Sequence, residues 1–369
     1  MSDLRLPKKM PLVDLEPLPE QGGALGPYAS SGLKSITGTS RNPSAINEYY
    51  SKPELMMSAE RSPTITCAHP QLELWLRMLQ GFDPKLAVKQ LPREQWPLTH
   101  VIPRVVPSSS FPHWPIPAGT YWIDYAQVTS SLRKVASSDW QLALTSAFPK
   151  DSTLLLGSIG DRAQRLSMWT RRHELLASPF FRQFQHLVCP DFSSYLNDPY
   201  PQGLAGERLT QEWASLASRM GYNVIPTLSW QNRTALRRQA DLLGAMAPDQ
   251  VNTVYIEWLS TGVSRTDWLW SRLEDFAEGL AHLPIRWLFS GAESGWFIRE
   301  LLEILPRRNF HVVTVWPFMQ TKFDPGLEDQ KSKGFRRRIA RLEALHRGEL
   351  LPPAQPRPEN PLGALLSDI

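Results

Sequence analysis

Asn223-Val224-Ile225-Pro226-Thr227-Leu228-Ser229-Trp230 is a short apolar run that ends abruptly in polar and aromatic residues. A buried parallel strand reads this way where its C-terminal end opens onto a site. Both faces are covered, so apolar residues run on, and polarity begins only at the rim. His186-Leu187-Val188-Cys189-Pro190-Asp191-Phe192-Ser193-Ser194-Tyr195 has the same character. Further candidate strands lie at 120–124, 153–158, 252–258, 285–290 and 311–316.

Between them run amphipathic helical patterns at 127–147, 162–184, 207–220, 232–246, 265–282 and 295–306. Leu273, Phe276, Ala277 and Leu280 have the spacing of one buried helical face. Gly221 stands where a helix should stop. Successive strands start roughly 26–37 residues apart, the length of one βα unit. Seven strands in series, each followed by a helix, predict an α/β fold built on a parallel sheet. We read it as a β/α barrel, incomplete unless an eighth strand comes from the N-terminal region. An open doubly wound parallel sheet has the same local pattern and is the alternative.

The chain divides by composition. Residues 1–63 are rich in Pro, Gly and Ser and read as a disordered or extended arm. Residues 64–119 read as a short helix carrying Leu72, Trp75, Leu76 and Leu79, then a Pro-rich linker. The β/α domain spans 120–317, a basic helix 318–350 and a disordered tail 351–369.

At 369 residues, with 42% hydrophobic and 21% charged, the chain can bury a substantial core. Two cysteines, Cys67 and Cys189, give neither a disulfide framework nor a zinc motif. A cytoplasmic setting is the expectation. No secretory signal or run of about 18 apolar residues is present, so no membrane association is expected. The sequence does not specify an oligomeric state.

In a parallel β/α fold the functional rim lies at the strands' C-terminal ends. Reading off those ends gives Asp161, Asp191, Ser193, Tyr195, Ser229, Trp230, Glu257, Trp258, Ser290, Glu293 and Trp316. Asp191 and Glu257 are the catalytic candidates, because two carboxylates across a pocket can divide general acid and base work. Each could instead cap a turn or pair with an arginine. No metal site or cofactor is expected, although the same pair could hold a divalent cation through oxygen. Trp230, Trp258 and Trp316 are candidates for stacking sugars or bases at the rim, with core packing as the competing reading. Trp169, Trp213, Trp268 and Trp270 lie in helical patterns and are expected in the core. The stretch from Ser290 to Gly295 is Gly-rich before a helix, but it is no P-loop, and there is no G-x-S-x-G elbow. His186 and His311 start strands, away from the presumed rim.

Lys331, Lys333, Arg336, Arg337, Arg338, Arg341 and Arg347 gather near the C-terminus, with Ile339, Leu342 and Leu345 as an apolar stripe. That pattern predicts a helix packed on one side and basic on the other, a face that attracts nucleic-acid phosphates. An ordinary solvated face has the same composition.

The motifs ending in Asp191-Phe192-Ser193-Ser194-Tyr195 and Ser229-Trp230, with Gly160-Asp161 and Trp169 before them, resemble an uncharacterised bacterial and phage family, a domain of unknown function often met on mobile elements. Its hallmarks are S-P-D-F-S-x-Y and, further along, V-I-P-T-x-S-W. The chain departs at Cys189, where the family usually has Ser. The resemblance covers roughly residues 150–317. It implies a mobile-element or phage context and groups Asp191, Ser193, Tyr195, Ser229 and Trp230 into one site, and it brings no activity. The leading expectation is therefore association with DNA or RNA through the basic helix and the aromatic rim. The alternatives are a hydrolase of a sugar, phosphoester or nucleotide, and a non-catalytic scaffold.

Overall fold

The computed structural model describes residues 86–105, 116–125, 148–157, 168–169, 171–192, 200–230, 233–258, 265–291, 295–315, 317, 320–321 and 328–353. The expected N-terminal arm, Cys67, the short helix expected around Leu72 to Leu79, the helical pattern at 127–147 and the tail beyond 353 lie outside them.

The strands are β1 (Val101–Val105), β2 (Thr120–Asp124), β3 (Thr153–Gly157), β4 (His186–Val188), β5 (Asn223–Ile225), β6 (Thr227–Leu228), β7 (Thr253–Glu257), β8 (Arg286–Ser290) and β9 (Phe310–Thr314). The described helices are α1 (Arg172–Ala177), α2 (Tyr200–Arg219), α3 (Arg233–Met246), α4 (Arg265–Gly279), α5 (Gly295–Ile304) and α6 (Glu328–His346). Gly221 ends the turn after α2 with a φ of 94°, the left-handed value that glycine adopts without penalty.

Among the described residues all pairings are parallel, and their nine strands run β5-β4-β3-β2-β1-β9-β8-β7-β6. The two edge strands, β5 and β6, are end-to-end pieces of one segment interrupted at Pro226. The sheet therefore curls into a nearly closed barrel with its seam at that proline. An open doubly wound sheet, whose edges are separate strands, does not have this order. The eighth position round the barrel is filled by β1, inside the stretch read as a Pro-rich linker.

One side chain from each of eight strands fills the barrel axis: Ile102, Trp122, Leu155, Val188, Ile225, Tyr255, Leu288 and Val313. The alternate positions, among them Ile123, Leu156, Leu187, Val254, Phe289 and Val312, face the helical layer. On α4, Leu273, Phe276 and Leu280 are buried, but Ala277 lies at the margin and is exposed. Trp169, Trp213 and Trp270 are core residues, as their helical patterns predict. Trp96 plugs the N-terminal end of the axis, stacked on His186 at 4.9 Å and beneath the Arg286 guanidinium at 4.4 Å.

The largest axial side chain needs room. Trp122 is fully buried and lies across Gly157 of β3, where a Cβ would meet its ring at 2.2 Å. Neither the indole nor the strand can retreat in a packed barrel. Gly157→Ala should lower unfolding stability by about 2–3 kcal/mol, read by denaturant titration. A change below about 0.5 kcal/mol would mean the indole has slack.

The seam carries its own closure. Below Pro226, β5 and β7 face each other without a shared ladder. The buried side chain of Gln90 sits between them. Its Nε2 donates to the carbonyls of Val224 and Thr253, at 2.9 and 2.7 Å. Its Oε1 accepts from the backbone N–H groups of Asn252 and Thr253, both at 2.8 Å. One amide thus does the work of a missing strand pair, and segment 86–91 is held beside it by Leu91 N–H on Asn223 Oδ1 at 2.8 Å.

Candidate functional site at the strand ends

The pleat decides what reaches the mouth. Two residues beyond the axial layer, the inward positions are Arg104, Asp124, Gly157, Pro190, Thr227, Glu257, Ser290 and Val315. They contribute two polar groupings, and Asp191 with Ser229, just past β4 and β6, makes a third.

Arg104 forms an ion pair through Nε and Nη2 with Asp124, whose carboxylate is fully buried. Glu257 lies opposite Ser290 in the β7–β8 register, and the Ser290 hydroxyl shares a 2.7 Å hydrogen bond with that of Tyr255. Asp191, just past β4, accepts a hydrogen bond from Ser229 Oγ at 3.3 Å. Tyr255 ties the groupings together electrically. Burial pushes its phenol well above the usual tyrosine range, Glu257 and Asp191 push in the same direction, and Arg104 pulls against them. Arg272, from α4, joins from behind. Burial brings its guanidinium down to about 10, and Asp275 and Asp191 oppose that shift.

The two motifs are neighbours. Thr227 Oγ1 donates to the Cys189 carbonyl, and Cys189 N–H donates to the Ile225 carbonyl at 2.9 Å. Register β4–β5 then places Ser229 beside Asp191. Cys189 faces the helical layer, with its Sγ donating to the Thr210 carbonyl at 3.2 Å. Burial raises its thiol, so it is no nucleophile for the mouth.

The tryptophans are corrected. Trp230 and Trp258 are 5% and 3% exposed and cannot serve as an open stacking platform. Alternation gives the reason: with Glu257 facing inward, Trp258 faces the helices, where Phe297 meets it edge-on at 4.8 Å. Trp230 packs edge-on to Trp258 at 6.4 Å, under Arg272 at 4.7 Å, and donates Nε1–H to Asp275 at 3.3 Å. It anchors the Asp191–Ser229 corner to α4. Asp161, Ser193, Tyr195, Glu293 and Trp316 lie outside the described residues.

Arg104, Asp124, Tyr255 and Arg272 were missed by the sequence reading. Asp124 carried a signal, since it is an acid closing a predicted strand two residues after an axial position. Among the described residues no group of three or more His, Cys, Asp or Glu side chains is placed to hold a metal ion. No helix among them is long and apolar enough to cross a membrane.

On α6 the amphipathic expectation holds in outline. Phe335 and Ala344 are buried, while Ile339 and Leu345 pack against the core. Lys333, Arg336, Arg337 and Arg341 are exposed. Arg338 and Lys331 are half-buried, and Arg338 donates to Thr321 Oγ1 at 2.8 Å. These two contribute less to an outer face than the sequence suggests.

Fold and site together define a parallel β/α barrel with a polar, carboxylate-bearing mouth at its strand ends. No family model, no curated protein and no solved structure matches the chain.

Proposed function

We propose that the mouth is the active site of a hydrolase acting on a sugar, phosphoester or nucleotide. The observation that carries this reading is the convergence of Asp124, Asp191, Glu257 and Arg104, supplied by four separate strands, on the C-terminal end of one barrel. That end is where parallel β/α barrels assemble their chemistry. Asp191, oriented by the Ser229 hydroxyl, takes a proton from water. Glu257 supplies one to the leaving oxygen. Arg104 balances negative charge as it develops, while holding Asp124 in place. A screen of glycoside, phosphoester and nucleotide substrates, run on wild type beside the carboxylate variants, tests it. Turnover that survives loss of both Asp191 and Glu257 overturns it.

A second reading rests on a separate surface, the exposed basic face of α6, and keeps the mobile-element setting that the resemblance implies and the cytoplasmic setting expected from the cysteine content. Four cations at Lys333, Arg336, Arg337 and Arg341 suit a nucleic-acid backbone. Binding to duplex DNA should weaken with salt at a log–log slope of about −3 to −4. Reversing Arg336, Arg337 and Arg341 to Glu should abolish the shift in a mobility assay. Binding unchanged by that reversal excludes the helix.

A further inference from the structure

At the N-terminal end of the barrel, opposite the mouth, three imidazoles meet from three elements. His100 precedes β1, His311 belongs to β9 and His346 is the last residue of α6. The His100 ring stacks on His346 at 4.3 Å and lies 5.7 Å from His311, with interplanar angles of 23° and 17°. Phe310 also packs against His346, with ring centroids 4.3 Å apart. His311 and His346 are buried.

The partners fix the tautomers. His311 Nδ1 is 2.9 Å from the Thr99 carbonyl and His346 Nε2 is 3.0 Å from the Phe310 carbonyl. A carbonyl only accepts, so both nitrogens carry hydrogen. The second nitrogens, His311 Nε2 and His346 Nδ1, are buried lone pairs without a partner among the described residues. An incoming proton has to land there, with no acceptor among the described residues to receive its hydrogen bond.

The surrounding charges do not help. Arg286 of β8 acts on His311, and Arg307, in the turn before β9, acts on His346, both disfavouring the cation. Of the acids nearby, Glu343 of α6 accepts from Val101 N–H at 3.1 Å. Glu349 is held by Arg347 at 2.5 and 2.9 Å.

We propose that the His100–His346–His311 stack is an acid-sensitive latch that holds the C-terminal end of α6 to the barrel and releases it when protonated. The same helix carries the exposed basic face. Burial is the first cause of a His311 value lowered to about 3 and a His346 value lowered to about 4, against an ordinary 6.5. The folded values lie below the unfolded one. The docked end is therefore fully stable above the ordinary value and loses stability as pH falls from there towards about 4.

Hydrogen exchange of the intact protein tests this, with α6 amides compared against strand amides at about pH 7.5 and about pH 5.5. After correction for intrinsic rates, opening of the C-terminal half of α6 should rise about 100-fold, roughly tenfold for each of the two buried histidines, while the strands stay protected. His346→Gln keeps a donor for the Phe310 carbonyl without titrating and should cut the acid response about tenfold, leaving the part carried by His311. His100→Phe keeps an aromatic ring against His346 and should leave most of the response in place. His186, under the Trp96 plug, is common to all variants and cancels in the comparison. Helix and strands opening together, or His346→Gln responding like wild type, overturns the latch.

Discussion

Gln90→Leu should lower the unfolding free energy by about 3–5 kcal/mol, among the largest single effects available in this chain. The leucine leaves four strand groups without their partner: the carbonyls of Val224 and Thr253 and the N–H groups of Asn252 and Thr253. Each buried orphan costs about 1–3 kcal/mol, and water entering a loosened seam recovers part of it. Gln90→Glu separates the two halves of the amide. It keeps an acceptor for the two N–H groups but sets a carboxylate oxygen against two carbonyls. It should therefore also destabilise, and more so at neutral than at acid pH, since protonation restores a donor. Denaturant titration with a circular-dichroism readout checks both. If Gln90→Leu costs less than about 1 kcal/mol, the seam is sealed by the backbone alone.

Asp191→Asn and Glu257→Gln should each cut turnover by about 100- to 10,000-fold on whatever substrate the screen finds, with unfolding midpoints close to wild type. Both substitutions keep shape; Asp191→Asn removes the carboxylate that takes the proton, and Glu257→Gln removes the acid that gives one. Asp191→Asn still accepts from Ser229 Oγ, so the corner between β4 and β6 keeps its geometry. Ser229→Ala is the companion experiment. It removes the 3.3 Å bond that orients Asp191 while leaving the carboxylate. It should therefore lower turnover less than Asp191→Asn does. Equal losses would mean that Ser229 itself takes part in the chemistry. No loss from either carboxylate variant would leave the mouth without a reaction.

Some of this was written in local pattern. Apolar runs one βα unit apart, ending in polar residues, implied a parallel sheet with its rim at the strand ends. Asp191 and Ser229 follow runs that pair in register, so their adjacency followed from the alternation alone. His186 starts β4 and His311 is the second residue of β9, and both lie at the far end of the barrel from the mouth, as their positions implied. The split of α6 into an apolar and a basic side was equally local, because helical period alone decides which residues share a face.

The rest depended on closure. Pro103 lies inside β1 and made a strand look like a linker, yet it pairs with Thr314 of β9 once the barrel brings them together. Trp230 and Trp258 looked like rim aromatics because sequence places them at strand ends. Only the inward commitment of Glu257 turns Trp258 towards the helices. Gln90 lies some 160 residues from Thr253 in the chain, and nothing local marks it as a strand surrogate. Composition and period by themselves determined the strands other than β1 and where their polar ends begin. The tertiary structure decided which way each end faces, what seals the seam and which charges meet at the mouth. Those outcomes depend on curling the sheet round, since contacts between distant segments exist only after closure.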